Sequence, residues 1–134
     1  MPLVRVRYVP EFAEQVGDLK KVLRHVVPAG YSSEDGLLTP GSIIFIADPA
    51  QSHDELTVDV FVEAEAYFKP KRTDIEERSK LIGEALEEIF PGTTFAVWPK
   101  LVNAGWFRRT EDPEFEGDLS MPAAIERAEA AISR

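Results

Sequence analysis

Cysteine does not occur among the 134 residues. Its absence excludes disulfides, thiolate nucleophiles and cysteine-based metal sites, and it matches the reducing interior of a cell, so a cytoplasmic location is the expectation. Histidine is scarce as well. His25 and His53 are the only two, and neither has a carboxylate at metal-ligand spacing. No glycine-rich phosphate loop, nucleophile elbow or metal motif occurs, so neither a metal nor a cofactor is expected. No apolar run approaches the ~18 residues of a membrane span, and no basic-then-apolar leader opens the chain, so neither a membrane helix nor a secretory signal is expected. Positive charge is short too. Fifteen Lys and Arg face 24 Asp and Glu, for a net charge of −9. A nucleic-acid binder carries the opposite balance. Nucleic acid and membrane therefore drop out as expected partners, and any cluster of cations becomes conspicuous.

The residues that are present, 44% hydrophobic and 29% charged, suit one globular domain over 1–134. Residues 2–9 alternate. Val4, Val6 and Tyr8 share a face with Pro2 while Arg5 and Arg7 take the other, which predicts a strand with one buried side, ended by Pro10. Phe12, Val16, Leu19, Leu23, Val26 and Val27 recur at helical spacing and predict a helix over 12–27. VPAGYSSEDGLLTPG (27–41) reads as loop, and SIIFIADP (42–49) as a short buried strand. LTVDVFVEAEAYF (56–68) alternates throughout and is the clearest strand. Thr73 with Glu76 three residues on reads as a capping box that opens a helix. Ile75, Ile82, Leu86 and Ile89 are its apolar face, and Pro91-Gly92 stops it. TTFAVWPKL (93–101) is a further strand, Asn103-Ala104-Gly105 a turn, and Trp106-Phe107 a short terminal strand. Ser120 is placed to cap a last helix with Pro122 in its first turn.

The order is β-α-β over 2–49, β-α-β again over 56–107, and a tail over 108–134 with a short helix. It predicts an internally duplicated α/β (α+β) domain: a four-stranded sheet with two helices on one face, plus the tail helix.

Two features carry chemistry. Pro2 precedes a strand, where a missing N–H is a poor fit to a ladder. A small residue after Met1 generally allows the methionine to be removed, and Pro2 would then carry a free secondary amine. Unperturbed α-amino groups titrate near pH 7.7–8.0, so such an amine is a plausible acid or base. The alternative is a merely tolerated second residue. The other feature is Lys69, Lys71 and Arg72, three cations in four residues ahead of a helix N-terminus. Helix N-termini carry unpaired N–H groups and partial positive charge, so helix and cations together suit a carboxylate or phosphate. The alternative is a solvated basic turn paired with Glu63, Glu65 or Asp74. Phe95 and Trp98 read as core, whereas Trp106, next to a turn, suits a pocket wall or an interface. The pairs Glu76-Glu77 and Glu87-Glu88 read as solvated helix faces.

Pro2 opening a strand, two β-α-β units, and KRTDIEERSKL opening the second helix together resemble the tautomerase superfamily. The resemblance covers residues 2–107. KRTDIEER is similar to the Gly-Arg-Ser/Thr-Asp segment of 4-oxalocrotonate tautomerase relatives, and FAVWPKLVNAGW is similar to the last strand and hairpin of the block. NAGW is also similar to a segment of macrophage migration inhibitory factor, and the length with its tail to malonate semialdehyde decarboxylase. The resemblance implies that Pro2 is a general base and acid, with Arg72, Lys69 and Lys71 holding a substrate carboxylate and Phe95 and Trp106 facing the substrate. It implies a cofactor-free tautomerase or isomerase of small keto- or enol-carboxylates, assembled as a homotrimer with Phe107 near the interface. A decarboxylase, a dehalogenase or hydratase, or a non-catalytic binding protein of the same fold stays open. Departures leave the substrate class open as well. Val9-Pro10-Glu11 stands where many relatives place an arginine, the loop after the first helix holds no cation, and Ile43–Ile46 carries no polar group. The mechanism expects Arg5 and Arg7, on the strand of Pro2, to lower its pKa by repulsion.

Overall fold

The computed structural model describes residues 3–32, 38–66, 72–101 and 117–133; for residues 72 and 73 it describes the backbone alone. Strand β1 (Leu3–Tyr8) leads through a 3-10 turn (Pro10–Gln15) into helix α1 (Val16–Tyr31), then strand β2 (Ile44–Pro49). Strand β3 (Val60–Ala66), helix α2 (Arg72–Ile89) and strand β4 (Phe95–Leu101) repeat the pattern, and helix α3 (Met121–Ile132) follows. The sheet order is β2-β1-β3-β4. Each unit pairs its own strands in parallel, β1 with β2 and β3 with β4, and the units join antiparallel along β1 and β3. This is the α+β architecture expected from the order of elements.

Alternation decides which face is covered. Val4, Val6, Val60, Val62, Ala64 and Ala66 are fully buried and form the inner floor of the core. Leu19, Val22, Leu23 and Val26 of α1, with Ile75, Ile82 and Leu86 of α2, pack onto that floor. Burying an aliphatic side chain of this size contributes roughly 1.5–3 kcal/mol. The other face carries Arg5, Ile44, Ile46 and Trp98, all exposed, and among the described residues no helix covers it.

Several elements differ from their expected bounds. Helix α1 continues through Pro28 and Gly30 to Tyr31, past the point where Val-Pro-Ala-Gly signals a loop. Proline in a helix interior costs roughly 3 kcal/mol, but the extension buries Pro28, Gly30 and Tyr31, the last completely, and that burial offsets the cost. Gly30 serves contact rather than a turn, because a Cβ there would lie 2.4 Å from Ile82 Cγ1. The expected helix start at Phe12 falls in the 3-10 turn, where Phe12 is buried. β3 begins at Val60, four residues after Leu56; just ahead of it the Asp59 carboxylate accepts hydrogen bonds from Thr94 N (2.9 Å) and Oγ1 (3.0 Å), and its carbonyl accepts from Val9 N. α2 starts at Arg72, so Thr73 lies inside the first turn and is not the cap. Trp98 is not core. It is 62% exposed, because the register pairs it with Glu63 on the helix-free face while Val97 points inward. The solvated glutamate pairs of α2 are exposed as expected. Ser120 Oγ accepts from Ala123 N and Pro122 sits in the first turn of α3, as predicted. The turn at 103–105 and the terminal strand at 106–107 lie outside the described residues. Among the described residues no helix is long and apolar enough to cross a membrane.

Candidate active site

One end of the sheet gathers the chemistry. Val4 pairs with Ala64, so Leu3 falls opposite Glu65, and Glu65 pairs in turn with Lys100. The first residue of β1 therefore stands beside the last residues of β3 and β4. The parallel connections place the C-terminus of α1 and the N-terminus of α2 at this end too. Pro2 is joined to Leu3, Lys69 and Lys71 lie between Ala66 and Arg72, and Trp106 follows Leu101 by five positions. Pro2, Lys69, Lys71 and Trp106 themselves lie outside the described residues, and Arg72 is described by its backbone, which opens α2.

Phe95 is different. It begins β4 opposite Val60, which pairs with Tyr8 at the far end of β1. Six residues along β4, about 20 Å at strand rise, separate it from the end where β1 starts. There it is half-buried in an aromatic cluster, 6.3 Å from Phe12 and 5.9 Å from Phe90 between ring centres. Within one chain it stands at the opposite end of the sheet from Leu3 and from the N-terminus of α2.

The described side chains at the shared end form two devices that the sequence reading missed. Leu3 N donates to Glu65 Oε1 at 2.9 Å. Arg78 of α2 donates from Nη1 to the carbonyls of Gly30 (3.2 Å) and Ser32 (2.7 Å), and its Nε donates to Asp74 at 2.8 Å. A cation is thereby set against the C-terminus of α1, where helix carbonyls carry partial negative charge. Among the described residues Asp74 pairs with Arg78, and Glu65 with the backbone of β1. The i, i+4 spacing of Asp74 and Arg78 is a sequence signal for that pair. Nothing local announces Glu65, because its partner lies 62 positions away. Beneath them, Tyr31 is fully buried and its hydroxyl lies 2.6 Å from Ser79 Oγ, which donates to Ile75 O at 2.8 Å. Burial first, offset by the Ser79 bond, holds the Tyr31 hydroxyl above its usual range.

Arg5 and Arg7, expected to act on Pro2 by repulsion, lie two and four positions along β1 from Leu3. Arg7 is bonded to Asp54 at 3.0 Å, at the other end of β1. Arg5 is exposed on the sheet face opposite the helices. The Asp54 carboxyl is held below its ordinary range by the Gln51 backbone N–H first and by Arg7 after it.

Two grooves mark other surfaces. One of about 520 Å³ runs between α2 and β4 and is lined by Phe95, Val97, Pro99, Lys80 and three glutamates, Glu76, Glu84 and Glu87. Its charge disfavours an anionic ligand. The second, about 430 Å³, lies on the helix-free face between Leu56, Val58, Phe61 and Trp98, with Glu55 at its rim. Among the described residues no three metal-ligating side chains come together.

No protein-family model matches this chain, and no curated protein does. Solved structures do. A 5-carboxymethyl-2-hydroxymuconate delta-isomerase superposes with a TM-score of 0.49 at 12% identity, over 84% of this chain and 89% of that one. Leishmania major MIF2 superposes with a TM-score of 0.48 at 13% identity, over 79% of this chain and 93% of that one.

Proposed function

We propose that this chain is a tautomerase-superfamily domain that isomerises a small keto- or enol-carboxylate without a cofactor, with the Pro2 amine as the proton carrier. The observation that carries the reading is topological: antiparallel pairing of β1 with β3 puts the start of β1 and the connection from β3 to α2 at one end of the sheet. Pro2 and the cations of residues 69–72 are attached to those two points. The neutral amine takes a proton from carbon next to a carbonyl and returns it at another position, as base and then acid. Arg72, helped by Lys69 or Lys71 and the N-terminus of α2, holds the substrate carboxylate and stabilises the enolate as it forms. Trp106 closes the apolar side. Phe95 reaches a site only when another copy supplies it, which fits a homotrimer in which chains complete one another. The compartment proposed is the cytoplasm.

The test uses protein whose mature terminus is verified as Pro2 by mass spectrometry. Its substrates are phenylpyruvate, a 2-hydroxymuconate-type dienol, a 3-oxo acid and a haloacrylate. Inserting alanine between Met1 and Pro2 turns the amine into an amide that cannot titrate near neutrality, so turnover should vanish while the melting temperature holds. Arg72→Ala should lower kcat/KM about 10- to 150-fold, the loss of a charge-assisted hydrogen bond of roughly 1.5–3 kcal/mol. Wild-type rates after the insertion would leave a binding protein of this fold. Turnover of the oxo acid or haloacrylate alone would assign decarboxylation or dehalogenation to the same site.

A further inference from the structure

We infer that Glu65 is a positioning residue that holds the first peptide of β1 and biases the Pro2 amine toward its protonated form; the inference rests on the reading of Pro2 as the reactive group. Glu65 Oε1 lies 2.9 Å from the amide nitrogen of Leu3. Three covalent bonds join that nitrogen to the nitrogen of residue 2, and their lengths keep the two within about 4.3 Å. Whatever the orientation of the proline ring, its amine stays within about 7 Å of this carboxylate. An opposite charge so close favours the ammonium form.

Other charged groups face the same place. Lys100 of β4 lies opposite Glu65, and the Arg5–Glu63 pair of positions is two residues further along β1 and β3. Lys69, Lys71 and Arg72 follow β3 in the chain. Lys100 and Arg5 oppose the bias, and Glu63 adds to it from further away. Among the described residues only Glu65 bonds the backbone where β1 begins. Coulomb attraction at about 7 Å, with an effective dielectric constant between 80 and 20, corresponds to a rise of about 0.4 to 1.7 pH units in the amine midpoint.

The experiment is a titration of the amino-terminal nitrogen by NMR, in proline-labelled protein with a verified Pro2 terminus. Glu65→Gln removes the charge and keeps an oxygen that accepts from Leu3 N. Its midpoint should fall by about 0.4 to 1.7 units at an unchanged melting temperature, and the acid limb of the kcat/KM profile should move with it. Glu65→Asp, which keeps the charge, should titrate nearer to wild type. Glu63→Gln should move the midpoint by less than Glu65→Gln. Equal midpoints in wild type and Glu65→Gln, or an equal fall in Glu63→Gln, overturn the inference. A lowered midpoint in a protein that turns over no carboxylate keeps the Glu65 effect and removes the enzyme. An unmoved midpoint in an enzyme silenced by the alanine insertion does the reverse.

Discussion

His25 shows how a residue with no apparent role in the sequence gains one by contact. It sits on α1, and Arg127 of α3 donates from Nε to its Nδ1 at 3.4 Å, which requires the neutral ring with its proton on Nε2. Arg127 also donates to the carbonyl of Asp118. Burial first, then Arg127 and Arg24, push the His25 imidazole below its usual pKa of 6.5. The folded value is therefore below the unfolded one, so the unfolded chain binds the extra proton. The stability involved is complete above about pH 6.5 and is lost as pH falls through the folded value. Melting curves from pH 8 down to 5 should show the wild type losing stability below about pH 6.5 more steeply than His25→Gln, whose side chain never charges. Parallel curves would remove His25 as a determinant of how α3 docks.

Gly30 and Ile82 govern the approach of two helices. α1 and α2 meet where glycine has no Cβ, and an added methyl would lie 2.4 Å from Ile82 Cγ1 and 2.5 Å from Cδ1. Gly30→Ala gains up to about 1 kcal/mol of helix propensity, but overpacking costs about 1–3 kcal/mol. Crowding wins because the branch atom Cγ1 moves only if the whole side chain turns. Urea unfolding should show a net loss of about 1–2 kcal/mol. Adding Gly30→Ala to an Ile82→Ala background should cost much less than in wild type, since the space is then free. Equal costs in both backgrounds would mean that the contact does not limit the packing. Arg78 belongs to the same joint, binding the last carbonyls of α1 from two turns inside α2.

At the scale of the molecule, one sheet face has no cover among the described residues. Ile44, Ile46 and Trp98 are 44%, 39% and 62% exposed there, and exposed apolar side chains grouped on one face mark an interaction surface. The proposed trimer covers this face with other copies of the chain and leaves β2 and β4 as edges available for pairing. Trp98→Glu should shift sedimentation from trimer to monomer while the circular dichroism spectrum holds, because Trp98 touches solvent rather than core within one chain. A wild-type chain that sediments as a monomer at micromolar concentration would sink the proposal.

Much of this protein is decided by short-range pattern. Alternation in residues 3–8 and 60–66, the Ser120 cap with Pro122 behind it, and the heptad-like spacing of Ile75, Ile82 and Leu86 are local statements, and local chemistry is enough to read them. The element order, and with it the two-unit sheet, follows from those. Tertiary structure decided the rest. Burial of Tyr31 carries α1 through Pro28 and Gly30 against their turn signal, and residues 56–59, where Asp59 is tied to Thr94, lie outside a strand whose pattern continues through them. Register turns Trp98 outward and sends Phe95 to the far end from Leu3. Neither Glu65 nor Arg78 is legible as a partner of its site in sequence, because a hydrogen bond between residues 62 or 46 positions apart leaves no local trace. Spacing along a chain reports which face a side chain takes, and only the pairing of strands and helices reports what stands opposite it.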